Sequence, residues 1–179
     1  MASSNALTFE KVWAMFQETD RKMQETDQKM KETDRLIGRL GNRFGELVEH
    51  LVVPNIMEKF NALNYKFEQA AQDVKIANAE GHCIAEIDAL LENGDVVMAV
   101  EIKSKPRQND VDDHINRMEI LGRRADARSD RRKYQGAIAG AIMDQSVRDY
   151  AHKAGFYVIE QTGDTVKINI PEGFTPREW

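Results

Sequence analysis

The sequence predicts an α/β fold, a central mixed sheet flanked by helices, preceded by a long N-terminal coiled-coil helix. Two strand-like runs flank Asn93-Gly94-Asp95, whose residue types favour a tight turn and therefore a β-hairpin. The run GAIAGAI at residues 136–142 is apolar on both faces and rich in small residues, which is typical of a central strand that helices approach closely. A direct seven-residue repeat near the start of the chain indicates a coiled coil.

The chain order of the elements follows from the apolar patterns. We expect a coiled-coil arm over residues 1–41 and a globular domain over residues 42–179. Within the domain the patterns predict a helix, three strands, a helix, a strand, a helix and a strand, at residues 45–63, 73–79, 82–91, 96–103, 110–127, 134–143, 145–154 and 156–160. Pro54 interrupts the first of these helices. Since an interior proline costs a helix about 3 kcal/mol, a kink or a restart is expected there.

The repeat comprises QETDRKM, QETDQKM and KETDRLI, which follow one another along the arm. Its a positions are Phe9, Phe16, Met23, Met30, Ile37, Phe44 and Leu51, and its d positions are Val12, Thr19, Thr26, Thr33, Leu40 and Leu47. In a parallel pair of helices the g lysines, Lys22 and Lys29, would face the e aspartates, Asp27 and Asp34, of the partner. The repeat therefore predicts a parallel homo-oligomer, most simply a dimer.

The arm has stabilising charge pairs on its surface and poorly apolar residues at some core positions of the predicted coiled coil. Glu18 with Lys22, and Glu25 with Lys29, are i,i+4 pairs in the favourable order. Three consecutive d positions are threonine, which buries little apolar area and is a modest helix former. The arm should therefore be the least stable part of the assembly. The alternative interpretation is a solvated helix that does not oligomerise.

The strand predicted at residues 96–103 ends in charged residues. Because side chains alternate along a strand, Glu101 and Lys103 share one face, and the hairpin brings Asp88 close to them. Charges are rarely buried unless they are paired or bind a metal. Carboxylates are the oxygen ligands that suit Mg²⁺ or Mn²⁺. The residues alone equally allow a buried salt bridge at the rim of the sheet.

Asp88, a twelve-residue gap and then Glu101-Ile102-Lys103 resemble the D-xn-(D/E)-x-K signature of the PD-(D/E)XK nuclease superfamily. The proline that often precedes the aspartate is Ile87 here. The superfamily core runs helix, three antiparallel strands, helix, strand, which is the order predicted over about residues 42–170. The resemblance implies a restriction-endonuclease-like core. The chain looks most like bacterial uncharacterised nuclease-like proteins that carry a heptad-repeat arm before such a domain.

The resemblance also implies roles for four residues. Asp88 and Glu101 would be the ligands of Mg²⁺ (or Mn²⁺), and Lys103 would serve the attacking water. Glu46 would match the first-helix glutamate that supports the metal site directly or through water; the alternative is an ordinary solvent-facing helix residue. The implied activity is metal-dependent phosphodiester hydrolysis of DNA by a Mg²⁺-dependent deoxyribonuclease, and RNA is not excluded as a substrate.

Basic residues are frequent after the motif. Those predicted to contact nucleic acid are Lys105, Arg107, Arg117, Arg123 and Arg124. The alternative is a solvated helix face with its own salt bridges. Aromatic residues do not interleave with the basic ones, so base stacking on single strands is not supported. His114 falls among the apolar positions of the predicted helix 110–127 and is expected at the edge of the core.

Composition limits the possible functions further. The 179 residues can hold one domain with a real core plus an appendage. The net charge of -5 argues against a purely electrostatic nucleic-acid binder but is compatible with an enzyme that has a local basic patch. The single cysteine, Cys83, cannot form an internal disulfide, which fits a reducing cytoplasm, and it is expected in the core. No apolar run approaches the length of a membrane span, and the N-terminus lacks a signal-peptide apolar region, so no membrane partner is expected.

Two other functions stay open at this point. The domain would be a catalytically inactive nuclease-fold module for nucleic-acid binding or assembly, oligomerised by its coiled coil, with a purely structural acidic cluster. Alternatively, the coiled coil would be the main function and the domain a partner-binding head. A fold resemblance alone does not decide between these and an enzyme.

Overall fold

The structure, a computed structural model, describes residues 9–163 and 165–179, with side chains described outside residues 37–52. The chain divides into two compact units, Met1–Phe44 and Gly45–Trp179, and the predicted boundary at residues 41 and 42 lies within the first helix. No helix in the described ranges has both the length and the apolar character needed to cross a bilayer. The elements are α1 (Phe9–Ala62), β1 (Gln69–Ala77), β2 (Cys83–Glu92), β3 (Val96–Lys103), α2 (Gln108–Ala127), β4 (Lys133–Gly140), α3 (Gln145–Lys153), β5 (Tyr157–Thr162) and β6 (Thr165–Asn169).

The strands of the described chain form one mixed sheet in the order β1-β2-β3-β4-β5-β6. β3 pairs in parallel with β4, and β4 pairs in parallel with β5, whereas the other neighbours are antiparallel. The predicted order of helix, three antiparallel strands, helix and strand is therefore confirmed. The α/β class, with a central mixed sheet flanked by helices, is confirmed as well.

Both faces of the sheet are covered by apolar side chains. On one face, α2 and α3 contribute residues such as Val111 and Val147 to a buried cluster. On the other face, the C-terminal part of α1 contributes Ile56 and Phe60 to a second cluster. Fully burying a side chain of this kind stabilises the fold by about 1.5–3 kcal/mol. The strands between these layers, β3 and β4, are buried along most of their length, which explains their continuous apolar sequence.

Pro54 does not divide the first helix, because α1 continues through it without a break. Of the kink or restart expected here, the restart was wrong, and the packing around the proline gives the reason. Pro54 is exposed, whereas Val53, Ile56 and Phe60 on the other side of the helix are at most 3% exposed. The burial of these side chains offsets the lost hydrogen bond, and the proline ring points to solvent.

The structure differs from the sequence-based expectations at three further points. β1 begins at Gln69, four residues earlier than predicted, because its first residues are exposed and are held by backbone pairing with β2 and not by an apolar pattern. β6 was not predicted; it is a five-residue strand paired antiparallel with β5, too short to give a clear alternation. Cys83 opens β2 and is exposed, so its expected place in the core was wrong.

The arm carries an exposed apolar stripe. The a-position side chains Phe9, Phe16, Met23 and Met30 are all more than half exposed. The hydroxyls of Thr19, Thr26 and Thr33 each donate to the backbone carbonyl four residues earlier on the same helix, at 2.7, 2.8 and 2.9 Å. These polar groups are therefore satisfied within the helix and do not need a partner.

Charge pairs on the arm follow the prediction in part. Lys22 forms an ion pair with Glu18 at 2.9 Å, as expected. Glu25 instead pairs with Arg21, at 3.7 Å, on the opposite side in sequence from the predicted Lys29. Both pairs are solvent-exposed, where such contacts contribute little to stability.

Close packing between β4 and the α2 face makes Gly136 sensitive to substitution. A Cβ atom added at Gly136 would lie 2.5 Å from Cε1 of Phe156, whose ring is fully buried and stacked on Trp179. We expect Gly136→Ala to lower the free energy of unfolding by about 1–3 kcal/mol, measured by urea denaturation, because a fixed ring has to shift. Gly94→Ala is the control, since nothing lies within 4 Å of a Cβ atom there, and it should change stability by less than about 0.5 kcal/mol. Equal losses in the two variants would contradict this explanation.

Candidate active site

The hairpin of β2 and β3 brings Asp88 next to Glu101. Its turn is set by Asn93, whose side-chain oxygen accepts the backbone N–H groups of Asp95 and Val96 at 2.8 and 2.7 Å. The register then runs from Glu92↔Val97 to Ala89↔Val100, so Asp88 and Glu101 are the next residues beyond the paired stretch. There a side chain continues the strand pairing, because Asp88 Oδ2 accepts the backbone N–H of Ile102 at 2.7 Å.

Glu101 is the most deeply buried charged residue among the described side chains. It is 1% exposed, yet both of its carboxylate oxygens have cationic partners. Oε1 lies 2.8 Å from Lys103 Nζ, and Oε2 lies 2.5 Å from Arg117 Nη1. Two charge-assisted contacts of this kind offset the cost of removing the carboxylate from water.

Lys103 joins the two acidic residues. Its Nζ lies 3.4 Å from Asp88 Oδ2 as well as 2.8 Å from Glu101 Oε1. Burial alone would lower the pKa of Lys103, but the contacts with Glu101 and Asp88 outweigh it and raise that pKa above its usual value. The ammonium is therefore charged at neutral pH. The side chain is 39% exposed, so it also borders solvent.

The surroundings disfavour the charged form of Asp88, whereas they favour the charged form of Lys103. Burial and the nearby charge of Glu101 raise the pKa of its carboxyl, while the Ile102 N–H and Lys103 act against that rise. Its side chain is 16% exposed, which leaves the carboxylate at the boundary between the cluster and solvent. Holding Asp88 ionised beside Glu101 thus costs free energy, as is common where a site is arranged to bind a cation or to react.

His114 belongs to the surroundings of Glu101, although we expected it at the edge of the core and not in a catalytic role. It is fully buried on α2, and its Nε2 is 3.1 Å from the carbonyl oxygen of Ala99. Its Nδ1 lies 3.9 Å from Glu101 Oε2 and has no hydrogen-bond partner among the described residues. Burial lowers the pKa of His114 to about 4, so the ring is neutral at pH 7. Its spacing from Val111 and Met118 was the signal that placed it on the buried face of α2.

The basic residues predicted to contact nucleic acid do not form one cluster. Lys105 is exposed in the turn after β3 and lies 3.5 Å from Asp144, and Arg107 is exposed at the start of α2. Arg123 is exposed and donates to the backbone of its own helix. Arg124 donates to the carbonyl of Ala77 and borders a cavity that includes Val97, at the start of β3 and not at its Glu101 end. Arg117 is engaged by Glu101.

The turn that carries Lys105 has a defined position. Gly140 ends β4 directly beside Lys103 in the sheet register. A Cβ atom there would lie 2.7 Å from the ring of Pro106, so only a glycine lets the turn pack this closely against β4. Lys105 is therefore held next to Lys103 by packing against the neighbouring strand.

The donor atoms at this site are oxygen atoms of two carboxylates, which is the chemistry that Mg²⁺ and Mn²⁺ prefer. Within the described side chains, no group of three or more His, Cys, Asp or Glu residues is arranged to hold a metal ion. Asp88 and Glu101 make two such residues. Glu46, the third acidic residue predicted from the sequence, lies in α1 with its side chain outside the described residues.

Comparisons with known proteins add little to this geometry. No protein-family model matches the chain, and no curated protein matches it. Among solved structures, the chain is similar to the small subunit of the heterodimeric restriction endonuclease R.BspD6I, at 17% sequence identity and a TM-score of 0.33. That match covers 67% of this chain and 69% of the other. A likeness at this TM-score carries no argument about the activity of this chain.

The raised pKa of Asp88 leads to a test of site electrostatics. Because the pKa of this carboxyl is higher in the folded than in the unfolded state, the group favours folding when protonated, and this contribution is lost as pH rises through the folded pKa. Asp88→Asn keeps an acceptor for the Ile102 N–H but carries no charge. We expect this variant to be at least as stable as wild type at pH 7, measured by urea denaturation.

The advantage of Asp88→Asn should shrink as pH falls from the raised pKa towards the ordinary value of 3.8, where the wild-type carboxyl is protonated as well. Glu86→Gln serves as the control, since Glu86 lies on the same strand in an exposed ion pair with Lys75. A stability difference between Asp88→Asn and wild type that grows towards acid would show that the sign of the shift is wrong.

Proposed function

We propose that this chain is a metal-dependent nuclease of the PD-(D/E)XK type that hydrolyses phosphodiester bonds of DNA. One observation supports this most: Asp88, Glu101 and Lys103 meet in a single ionic cluster beside the end of β3. These are the three residues whose spacing resembles the superfamily signature, and the fold places them within contact of one another. A cytoplasmic location is part of the proposal, supported by the single, unpaired thiol of Cys83.

Asp88 and Glu101 would hold Mg²⁺ or Mn²⁺, with Glu46 as a further candidate on α1. When bound, such an ion polarises a phosphate and lowers the pKa of a coordinated water. The structure supports the fit because Asp88 Oδ2 and Glu101 Oε1 already converge on one cation, the ammonium of Lys103. Their carboxylate oxygens are thus directed at a common position.

Lys103 would orient the attacking water and offset negative charge on the phosphate. Its ammonium stays protonated at neutral pH, and its partly exposed side chain borders solvent, from which substrate and water arrive. In the hydrolysis, the water oxygen forms the new bond to phosphorus, the bond between phosphorus and the leaving oxygen breaks, and the proton that the water loses is balanced, through solvent, by the one that the leaving oxygen gains. A lysine at this place acts as a hydrogen-bond donor and a positive charge.

Lys105 and Arg107 are the residues best placed to contact the DNA backbone near the cleaved bond. Both are exposed and follow Lys103 within four residues, in a turn that is packed against β4. Arg123 would contact phosphates farther along α2, and Arg124 is positioned towards the other end of β3. A local basic edge of this kind lets an acidic protein bind DNA.

A second candidate function is a catalytically inactive nuclease-fold module for nucleic-acid binding or assembly. The observation that favours it is the balance of charge in the cluster. Two carboxylates, Asp88 and Glu101, are matched by two cations, Lys103 and Arg117, so the cluster is satisfied without any bound metal. A buried ionic cluster of this kind can be purely structural.

We also propose that the arm forms a parallel homo-oligomer, most simply a dimer. The apolar a-position side chains are exposed along one stripe of the helix, and a second copy would bury them. Because the threonine hydroxyls at d positions are bonded to their own helix, only their methyl groups would face the partner. The lysines at g and the aspartates at e supply the complementary charges for a parallel arrangement.

Cleavage of DNA tests the proposed activity. We expect the full chain to cleave labelled DNA in the presence of Mn²⁺, and Lys103→Ala to slow the reaction by about 10²–10³-fold, the usual contribution of one positioned donor that stabilises developing charge. Supercoiled plasmid, linear duplex and single-stranded DNA are tested in parallel with an RNA of the same sequence. Gel separation of the products gives the rates.

The control for that assay is Lys75→Ala, which removes an exposed lysine paired with Glu86 outside the cluster. It should cleave at the wild-type rate. A Lys103→Ala variant as active as wild type would exclude the assigned mechanism. If no substrate is cleaved but DNA is bound, the inactive module is the correct function.

Sedimentation equilibrium tests the arm. We expect the wild-type chain to be an oligomer at micromolar concentration, and the double variant Met23→Asp with Met30→Asp to be a monomer, because two charges would be buried at a positions. The control is Gln17→Asp with Gln28→Asp, which adds the same charge at b and f positions outside the seam. A wild-type chain that stays monomeric over the same concentrations refutes the oligomer.

A further inference from the structure

The second oxygen of Glu101 is engaged by a residue that the proposed chemistry does not use. Oε1 is 2.8 Å from Lys103 Nζ, which also contacts Asp88, whereas Oε2 is 2.5 Å from Arg117 Nη1. With Glu101 only 1% exposed, this contact fixes which oxygen of the carboxylate remains directed towards the cluster. The arginine side chain itself is 27% exposed, so part of it borders solvent.

Arg117 is delivered to Glu101 by a firmly anchored helix. Around it on α2, the side chains of Val111, His114 and Met118 are completely buried. The ring of His114 is also fixed to the backbone of β3 through the carbonyl of Ala99, two residues before Glu101. The distance between α2 and the end of β3 is therefore set by packing that does not involve the charges.

On the Oε2 side, Arg117 is the residue that balances the charge of Glu101. The neighbouring ring of His114 is neutral, and its Nε2 is the nitrogen that donates, to the carbonyl of Ala99, so Nδ1 carries no hydrogen to donate to Oε2. An arginine committed to a buried carboxylate at this distance is not available to bind a phosphate at the same time through that nitrogen. The sequence alone had assigned Arg117 to the nucleic-acid contacts, and its geometry favours a different role.

We propose that Arg117 is a positioning residue for Glu101: it holds Oε2, presents Oε1 to the metal, and its positive charge weakens the affinity for that metal. This inference rests on the proposed metal-dependent function. The two effects have opposite consequences when the arginine is replaced by a neutral residue. Metal binding becomes tighter because a repelling charge is gone, and turnover becomes slower because Glu101 is no longer held.

The test measures Mn²⁺ binding and cleavage separately. Calorimetric titration of the full chain with Mn²⁺ alone should show Arg117→Met and Arg117→Gln binding at least about threefold more tightly than wild type, whereas Arg117→Lys stays within about twofold of it because the charge is kept. In cleavage assays the neutral variants should lower kcat and leave KM for DNA unchanged. Arg128→Met, which removes an exposed arginine at the end of the same helix, is the control and should change neither the Mn²⁺ affinity nor the cleavage kinetics.

Binding of a labelled DNA duplex without metal separates this role from a phosphate contact. The positioning role leaves the affinity of Arg117→Met for DNA, and its salt dependence, as in wild type. If DNA binding instead weakens, the salt slope falls by about one and Mn²⁺ affinity stays the same, Arg117 is a phosphate contact and the inference is wrong.

Two remaining outcomes are also decisive. Weaker Mn²⁺ binding in both neutral variants would assign Arg117 a purely structural role and would overturn the inference, while the nuclease proposal would stand. A wild-type chain that binds no Mn²⁺ overturns the proposed function itself, and the inference with it. Circular dichroism confirms that each variant is folded, and Arg117→Lys and Arg117→Gln keep the comparison valid should Arg117→Met fail to fold.

Discussion

The burial of the Glu101 carboxylate is the constraint on which the site depends. β3 lies in the middle of the sheet with helices on both faces, so a charge near its end is removed from water. Isolated burial of an ion costs several kcal/mol even after the protein relaxes. The fold compensates with Lys103 on the same strand and Arg117 on α2. The packing of α2 on β3 brings the second of these partners within reach of Glu101.

Asp88 can join this cluster because the backbone pairing of β2 with β3 ends at the neighbouring residue, Ala89. The ladder of β2 and β3 ends at Ala89↔Val100, and the carboxylate of Asp88 takes over the N–H of Ile102. Asp73, opposite this region on β1, has a positive φ of 51°, and the pairs on either side of it are Gln72↔Ala89 and Val74↔Ile87. A local irregularity in two strands thus places a second acidic group beside Glu101, where a regular ladder would have placed backbone pairing.

Much of this could be predicted from local sequence patterns. The turn at Asn93, the two-residue alternation of Glu101 and Lys103, and the apolar run of β4 each report a structure that forms over a few residues. The partnership of Glu101 with Arg117 spans sixteen residues and depends on the rotation of α2 about its axis. The buried positions of α2 at Val111, His114 and Met118 define that rotation, and Arg117, next to Met118, lies on the flank of the buried face. Similarly, the continuity of α1 through Pro54 depends on tertiary burial, which local propensity does not contain.

The two functions proposed for the cluster share the same geometry and differ in the freedom of one cation. Arg117 is held by an anchored helix and contacts Glu101 Oε2, whereas Lys103 contacts Oε1. The ammonium of Lys103 lies at the end of a flexible side chain that is partly exposed, and it contacts both carboxylates. For a metal ion to bind between the two carboxylates, only Lys103 has to move. The displaced lysine would remain beside the site, next to the water and the phosphate. In a purely structural cluster, the solvent-side position of Lys103 only lowers the cost of burying its charge. The proposed metal site depends on that position, because the cation that a metal ion replaces has to be able to leave.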